Sequence, residues 1–267
     1  MSTDKQRRHA AQRHLQKQLE RRAVQTVRRR RTLGILATVV SVLVVVGAVL
    51  LLTGVFRDDD DTAAADTPQA DGTASCTYTP DDSGNPNLSD VGTPPNPEST
   101  PATGTTTLLM STGQGDLTLT LDRATAPCAA ASFSYLAAEK FFDGTPCHRL
   151  VNGEAFGVLQ CGDPSGTGKG GPSYKFAEEV TPATSYPRGT IAMAKSQAPA
   201  STGSQFFLAF VDSQLPPDYT AVGTVDEAGL AVLDQIAATG NDGSLEPSPG
   251  GGAPNVPVVI NSMTVVS

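Results

Sequence analysis

The segment GSQFFLAF, residues 203–210, sets a hydroxyl and an amide directly before two phenylalanines, in a chain with only 5% aromatic residues. Successive side chains of a β-strand point to opposite faces of the sheet. As a strand, the segment would have one face formed by Phe206, Leu208 and Phe210 and the other by Gln205, Phe207 and Ala209. The first face is typical of a hydrophobic core, and the second offers an amide beside an aromatic ring. Two interpretations are open: a binding surface, or a sheet that is buried on both sides.

Short segments of alternating character surround this stretch from about residue 106 to the C-terminus. TTTLLMSTGQGDLTLTLD, residues 105–122, predicts two strands joined by a glycine turn. Residues 126–142 and 226–238 instead have the composition and apolar spacing of helices. Many short strands, with two helices that do not alternate with them, favour a mainly β fold: a closed antiparallel barrel with helices over its ends.

Charge divides the chain into three regions. Residues 1–32 carry 11 of the 19 Lys and Arg and only two acids, residues 33–56 carry no charge, and the remainder is acidic. An uncharged run of this length forms about 36 Å of helix, enough to span a bilayer with some tilt. The sequence therefore predicts one transmembrane helix at 33–56. A cleavable signal peptide is the alternative, with a small-residue site at 63–65, but signal peptides usually have shorter apolar and basic regions.

The basic arm, residues 1–32, sets the predicted orientation. Basic residues flank the cytoplasmic end of a transmembrane helix, so we expect a single-pass protein of the cell membrane with a cytoplasmic N-terminus and residues 57–267 outside. We interpret the arm as a surface that contacts anionic lipid headgroups, at about 1 kcal/mol for each Lys or Arg. Nucleic-acid binding is the other interpretation. The arm contains no aromatic residue to stack on bases, and we expect no nucleic acid as a partner.

Residues 57–105 are rich in Asp, Thr, Pro and Gly and nearly free of apolar residues. Such a segment cannot bury enough surface to offset its ordering entropy, so the sequence predicts a disordered linker. Only the cluster of Cys76, Thr77 and Tyr78 interrupts it, as a candidate for docking onto the domain that follows. That domain is assigned to residues 106–267, a length ample for one hydrophobic core.

Cofactor and metal sites find little support in the folded region. The glycine loop GDPSGTGKGG, residues 162–171, lacks both the spacing and the Ser or Thr of a P-loop. His148 is the one histidine after the basic arm, and no His or Cys pair has the spacing of zinc ligands. We therefore expect no metal and no cofactor. Four cysteines in a domain outside the cytoplasm favour disulfides, for which three pairings exist.

Six motifs follow each other as they do in cyclophilins, which are peptidyl-prolyl cis–trans isomerases. They are CHRL (147–150), VLQCGD (158–163), GTG (166–168), GTIAMA (189–194), GSQFF (203–207) and LPPDYTAVG (215–223). The chain resembles this family over residues 106–267, and the resemblance implies an eight-stranded antiparallel closed barrel capped by two helices. It also implies isomerisation of Xaa-Pro bonds in extracytoplasmic proteins, whose folding the domain would assist.

The resemblance implies a set of site residues as well. Arg149 matches the catalytic arginine of the family. The residues that match its groove for proline-containing polypeptides are Phe156, Gln160, Met193, Ala194, Lys195, Gln205, Phe207, Leu215 and Tyr219. Gly157 stands where the family usually has a phenylalanine, so Phe156 has to reach the groove through a local bulge.

Three further positions depart from the family pattern. Lys195 replaces a common asparagine that contacts the substrate backbone, and Tyr219 replaces a common histidine. Gln214 stands where cyclosporin-sensitive members carry tryptophan, so we expect weak cyclosporin binding. The substrate preference or the rate is therefore expected to differ from that of other members.

Physical chemistry gives Arg149 a role without the resemblance. Twisting an Xaa-Pro bond breaks amide resonance, with a barrier of about 18–20 kcal/mol and no proton-transfer or covalent step. The twisted prolyl nitrogen regains a lone pair, which a permanently charged guanidinium can hydrogen-bond. The alternative function is a non-catalytic module or chaperone of the cell envelope that holds proline-rich segments, since binding alone needs the pocket but not this donor.

The cysteine pairing follows from the predicted strands. Cys147 begins one strand and Cys161 ends the next, and antiparallel pairing brings their Cα atoms within the roughly 7 Å that a bridge requires. We therefore expect Cys147–Cys161, and with it Cys76–Cys128, which would pin residues 77–78 to the domain. Four unpaired cysteines are the alternative.

Overall fold

The computed structural model of the protein describes residues 72–248 and 250–266. The predicted basic arm at 1–32, the predicted transmembrane helix at 33–56 and the first part of the predicted linker, 57–71, lie outside the described residues. No helix within the described ranges combines the length and apolar character that crossing a membrane requires.

Two α-helices and fifteen strands, several of them only two residues long, make up the described residues. Helix α1 spans Pro127–Ala138 and helix α2 spans Glu227–Thr239, and a short 3₁₀ helix lies at Pro97–Ser99. The strands are β1 Thr73–Ala74, β2 Thr79–Pro80, β3 Leu88–Ser89, β4 Thr100–Pro101, β5 Thr105–Thr112, β6 Gly115–Asp122, β7 Thr145–Pro146, β8 Arg149–Asn152, β9 Gly157–Cys161, β10 Gly171–Pro172, β11 Tyr174–Lys175, β12 Thr190–Met193, β13 Phe206–Ala209, β14 Ala221–Val225 and β15 Val259–Val265.

Nine of these strands form one antiparallel sheet, in the order β7-β15-β5-β6-β14-β12-β13-β9-β8. The edge strands β7 and β8 are separated by only two residues of sequence, so the sheet curls, but the two strands do not pair. Leu150 of β8 instead exchanges backbone hydrogen bonds with Gly252, at 2.8 and 3.1 Å, so a loop occupies part of the edge that closure would need. The mainly β class with two helices is confirmed, and the prediction of an eight-stranded closed barrel is wrong in strand number and closure.

The hydrophobic core lies against one face of this sheet. Leu117, Leu119 and Leu121 of β6 are fully buried, as their alternation predicts, and Phe133 of α1 packs on the ring of Phe206 with centroids 4.8 Å apart. A second, smaller cluster on the other face contains Phe207 and Ala209 of β13. Strand β13 is therefore buried on both faces, one against the main core and the other within this smaller cluster.

A carboxylate from a distant loop helps to fix helix α1. The helix begins with Pro127, and Glu179 accepts hydrogen bonds from the backbone N–H groups of Cys128 and Ala129 at 2.9 and 2.8 Å. The first backbone N–H groups of a helix have no hydrogen-bond acceptor inside the helix. A negative charge at this end also complements the helix dipole. The contact ties the helix to the loop that precedes β12.

Residues 72–105 differ from the disordered linker predicted there. They contribute β1 to β4; β2 pairs with β11 and β3 pairs with β10, while Tyr78 packs edge-on against Tyr174 with ring centroids 5.4 Å apart. The Tyr78 hydroxyl also donates to the carbonyl of Cys128. The segment has little apolar surface of its own, but backbone hydrogen bonds and apolar surface supplied by the rest of the domain order it.

Two disulfides join the four cysteines in the pairs that the sequence analysis expects. Cys76 is bonded to Cys128 at the start of α1, and Cys147 is bonded to Cys161 across the edge of the sheet. The Cα atoms are 5.4 and 4.0 Å apart, respectively. The first bridge holds residues 72–105 against the domain, and the second links the turn between β7 and β8 to the end of β9.

The Cys76–Cys128 bridge should contribute strongly to stability. It joins residues 52 apart, for which the chain-entropy estimate is about 4 kcal/mol. Replacing both cysteines by alanine should lower the free energy of unfolding by an amount of that order and raise hydrogen exchange across 72–105. The matched control replaces Cys147 and Cys161 by alanine, which should leave exchange in 72–105 low. Unchanged stability and exchange in the Cys76/Cys128 variant would contradict the role given to this bridge.

Candidate active site

One row of residues crosses four neighbouring strands on the side of the second cluster. Arg149 of β8 lies opposite Gln160 of β9, Gln160 lies opposite Phe207 of β13, and Phe207 lies opposite Ala192 of β12. Side chains directly opposite each other in an antiparallel pair have Cβ atoms only about 4.5–5.5 Å apart. The register of the sheet therefore brings a guanidinium, an amide and an aromatic ring together from segments that are distant in sequence.

A chain of hydrogen bonds orients the polar half of this row. Arg149 donates from Nε to the carbonyl of Gly250 at 2.9 Å and from Nη1 to Oε1 of Gln160 at 3.1 Å. Gln160 donates from Nε2 to Oε1 of Gln205 at 2.9 Å, and Gln205 donates to the carbonyl of Gly170 at 3.0 Å. Each amide thus has a fixed orientation, and the guanidinium is held on two sides.

The guanidinium of Arg149 is half-buried and stays charged. Burial lowers the pKa of Arg149, whereas the nearby Tyr219 and Glu246 act to raise it. Because a guanidinium is a far stronger base than the other side chains of proteins, Arg149 remains protonated at neutral pH. The guanidinium carbon lies 5.8 Å from the centre of the Phe156 ring, a cation–π distance that adds to its positioning.

The row borders a groove of about 580 Å³, whose lining includes Arg149, Gln160 and Phe207. The Phe207 ring meets Tyr219 edge-on at 5.6 Å and lies 6.1 Å from Tyr186. The buried Tyr186 hydroxyl donates to the carbonyl of Tyr219 at 2.8 Å and accepts from its N–H at 2.9 Å, which fixes the rim of the groove. Leu215 packs against the same cluster from this rim.

The structure brings most of the predicted site residues together. The groove is lined by Arg149, Phe156, Gln160, Ala194, Lys195, Phe207, Leu215 and Tyr219, and Gln205 lies beside it through its bond to Gln160. Met193 is the exception, because it is 1% exposed and belongs to the main core, opposite Phe206 in the sheet register. Alternation along β12 sends Ala192 and Ala194 to the groove side and Met193 away from it. The prediction that Met193 lines the groove is therefore wrong.

Phe156, just before β9, supplies the aromatic ring of the groove, although Gly157 holds the position of the family's phenylalanine. A Cβ atom on Gly157 would lie 2.7 Å from the Phe210 ring and 2.8 Å from Val211, so no side chain fits at that position. Phe156 precedes the ladder and is not bound by its alternation, so its ring reaches the groove and Arg149.

Sequence reasoning missed several residues that line the groove. Val158 lies two residues before Gln160 on β9, and alternation alone would have placed it on the same face. His148 lines the groove from the residue before Arg149. Ser244, Leu245 and Ala253 come from a loop rich in Gly and Pro, whose path no periodic pattern announces.

A buried carboxylate shapes the loop between β9 and β10, which borders the groove. Asp163 is fully buried and accepts hydrogen bonds from the Ser165 N–H and hydroxyl at 2.8 and 2.7 Å and from the Lys169 N–H at 3.0 Å. Burial acts to raise the pKa of Asp163, but hydrogen bonds from Ser165 and from the backbone of Gly168 and Gly170 lower it overall. The carboxylate is therefore ionised at neutral pH and acts as an internal anchor for residues 163–170.

Comparison with known proteins assigns the class. Residues 107–265 match the family described as cyclophilin type peptidyl-prolyl cis-trans isomerase/CLD. This region is more than half of the chain, and the chain belongs to that family.

Particular relatives agree with the assignment. The chain is 49% identical over 143 residues to the probable peptidyl-prolyl cis-trans isomerase B of Mycobacterium leprae, which covers 49% of this chain and 48% of that protein. It is 43% identical over 166 residues to isomerase B of Mycobacterium tuberculosis strain H37Rv, covering 58% and 52%. The chain thus spans about half the length of these curated relatives.

Solved structures are also similar. A cyclophilin type peptidyl-prolyl cis-trans isomerase of Cryptosporidium parvum superposes with a TM-score of 0.54 at 29% identity, covering 61% of this chain and 99% of that one. A second structure of that protein, in the presence of the dipeptide Ala-Pro, gives a TM-score of 0.53 at 30% identity over 60% and 99% of the two chains.

His148 should make the domain less stable in mild acid. Burial lowers its pKa, Arg149 lowers it further, Asp163 opposes both, and Nδ1 has no hydrogen-bond partner among the described residues. The unfolded state, with an ordinary histidine pKa near 6.5, then binds more protons than the folded state below that pH. Stability is therefore fully present above about pH 6.5 and falls as the pH drops towards the lower folded pKa.

This pH dependence can be isolated by the variant His148→Gln, which cannot titrate. The variant should lose part of the decline in unfolding free energy between pH 7 and pH 5, while the contribution of the carboxylates stays in both proteins. Denaturant unfolding at a series of pH values measures the difference. Parallel curves for the variant and the unmodified protein would show that His148 is not linked to folding.

Proposed function

We propose that the protein is a peptidyl-prolyl cis–trans isomerase that acts on Xaa-Pro bonds. One observation carries the proposal: a charged guanidinium, fixed by Gly250 and Gln160, stands at the edge of an apolar groove that contains Phe207. Membership of the family and the names of the relatives support the same reaction. Since isomerisation of an Xaa-Pro bond takes tens to hundreds of seconds, it can limit protein folding, and a catalyst would assist it.

The groove supplies the two things that this reaction requires. An apolar surface for the prolyl ring is formed by Phe207, Leu215 and Val158. The substrate backbone beside that ring remains able to rotate. As the amide twists, the prolyl nitrogen gains a lone pair, and Arg149 donates a hydrogen bond to it. Because the planar ground state offers no such lone pair, the interaction stabilises the twisted state selectively. Each tenfold increase in rate requires about 1.4 kcal/mol of this selective stabilisation.

Preorganisation makes this donor effective. A guanidinium that is already held by a carbonyl and an amide does not have to reorient when the amide twists. Half-burial also removes part of the water that would weaken the interaction. The substrate stays covalently intact throughout, since only rotation about the C–N bond occurs.

The variants Arg149→Ala and Arg149→Lys test this role. Alanine should lower kcat/KM for an Xaa-Pro peptide at least tenfold, because the twisted state loses its donor. A lysine side chain keeps the positive charge, but it lacks the planar set of N–H groups with which arginine donates to both Gly250 and Gln160. The lysine variant should therefore recover little of the rate. Exchange spectroscopy on a peptide with both isomers populated measures turnover, and titration of the same peptide measures binding.

Retained binding with lost turnover supports the assignment, and circular dichroism checks that the fold is intact. Full turnover in Arg149→Ala would contradict it. Binding of proline peptides without any turnover by the unmodified protein would instead favour the non-catalytic binding module.

We propose further that the domain works outside the cytoplasm, at the cell membrane, on proteins that fold there. The uncharged run at 33–56 is long enough for a single membrane-spanning helix, and the basic arm would then face cytoplasmic anionic headgroups. The two disulfides of the domain support an oxidising compartment, because such bonds are rare in the cytosol.

The orientation predicts a simple result with intact cells. Protease added from outside should remove the domain and spare the basic arm, as detected with antibodies against each part. Lysed cells serve as the control in which both parts become accessible. A domain that resists protease until lysis would overturn the proposed location.

A further inference from the structure

The loop of residues 240–254, which follows helix α2, forms one side of the groove and holds the guanidinium of Arg149. From this loop, the groove lining includes Ser244, Leu245 and Ala253. Nε of Arg149 donates a hydrogen bond to the carbonyl of Gly250, in the same loop, at 2.9 Å. The direction of one backbone carbonyl therefore helps to decide where the guanidinium points.

That carbonyl belongs to a stretch of backbone with wide conformational freedom. Residues 250–252 are three consecutive glycines. A glycine has no Cβ atom to restrict its backbone, so a peptide group between two glycines can rotate with little steric hindrance. Rotation of the group between Gly250 and Gly251 would turn the carbonyl away from Nε of Arg149. Another contact has to hold this peptide group in place.

Glu246 makes that contact. Its Oε1 atom accepts a hydrogen bond from the Gly251 N–H at 2.7 Å. The Gly251 N–H and the Gly250 carbonyl are the two ends of one planar peptide group, so a carboxylate that fixes the N–H also fixes the direction of the carbonyl. A chain of hydrogen bonds thus runs from Glu246 through this peptide group to Arg149.

The backbone bonds of the loop hold the peptide groups on either side of this one. The Gly250 N–H donates to the carbonyl of Leu245 at 3.0 Å, and the Leu245 N–H donates to the carbonyl of Gly251, also at 3.0 Å. Neither bond involves the N–H or the carbonyl of the group between Gly250 and Gly251. Glu246 holds one end of that group, and Arg149 holds the other.

The charge of Glu246 acts in the same direction as its hydrogen bond. A carboxylate that accepts from an N–H polarises the peptide group and makes its carbonyl a stronger acceptor. Burial lowers the pKa of Arg149, and the nearby Tyr219 and Glu246 oppose that effect. Because Glu246 is itself exposed, its replacement removes little packing, and the fold should tolerate it.

We propose that Glu246 is a positioning residue for Arg149 and acts through the peptide group between Gly250 and Gly251. The inference rests on the proposed isomerase function. Among the described residues, Glu246 is not one that lines the groove, so it should affect the rate of twisting and not the binding of the peptide. A charge-assisted hydrogen bond that orients the donor should contribute about three- to tenfold to kcat.

Exchange spectroscopy at a series of Xaa-Pro peptide concentrations gives kcat and KM of the full-length protein. Glu246→Ala should lower kcat about three- to tenfold with KM unchanged, because the Gly250 carbonyl loses its fixed direction. Glu246→Gln should keep most of the rate, because its amide oxygen can still accept from the Gly251 N–H.

Glu98→Ala is the matched control. It removes an exposed glutamate of the 3₁₀ helix at Pro97–Ser99, which is outside the groove lining found among the described residues. The net charge changes as it does in Glu246→Ala, but kcat and KM should stay as they are in the unmodified protein.

Two further measurements separate positioning from a general effect on the fold. The Nε–H signal of Arg149 in a proton–nitrogen correlation spectrum is identified by its loss in Arg149→Ala. It should shift in Glu246→Ala and stay in place in Glu246→Gln. In the Arg149→Ala background, Glu246→Ala should cause no further loss of kcat, because a residue that acts through Arg149 has nothing left to position.

Unchanged kcat in Glu246→Ala, or an equal loss in Glu98→Ala, overturns the proposal while the isomerase function stands. A rate in Glu246→Gln as low as that in Glu246→Ala also overturns it, since the hydrogen bond to Gly251 would then not be the cause. A further loss in the Arg149→Ala background shows that Glu246 does not act through Arg149. Absence of turnover in the unmodified protein overturns the isomerase function and this inference with it.

Discussion

The register of β8, β9, β13 and β12 is the constraint on which the site depends. It sets Arg149, Gln160, Phe207 and Ala192 in one row, while the adjacent row turns Phe206 and Met193 into the core. A slip of one residue would exchange the two faces of a strand and send Phe207 into the core. Because Phe206 packs against Phe133 of helix α1, the main core fixes the register and so fixes the site.

The site combines an apolar surface with one charge that is held rather than free. The barrier to amide rotation is electronic, so a catalyst has to recognise the twisted bond itself. Arg149 gains its orientation from a backbone carbonyl and from an amide whose own orientation is set by Gln205 and Gly170. The glutamines therefore act through geometry, by holding the guanidinium of Arg149 in one orientation.

Much of this could be predicted from the sequence. Alternation in GSQFFLAF separated Phe207 from Phe206, and the ordered motifs placed Arg149, Gln160 and Tyr219 around one groove. The same rule, applied to GTIAMA, would have excluded Met193, which was assigned by motif matching alone. The openness of the sheet could not be predicted, because it depends on a backbone bond between Leu150 and a glycine a hundred residues later. The ordered state of residues 72–105 was also out of reach, since it relies on surface that other segments provide.

The loop of residues 240–254 restricts the sequence changes that the site can tolerate. It holds Arg149 through the carbonyl of Gly250, a main-chain group that the replacement of a neighbouring side chain does not remove. Its length is a different matter, because an insertion or deletion would move that carbonyl along the edge of β8. Gly251 is equally restricted: its φ is 75°, and a Cβ atom would lie 2.1 Å from the Leu150 carbonyl oxygen. The residue count of the loop and this glycine should therefore stay fixed, even where side chains of the loop that neither line the groove nor act on Arg149 change.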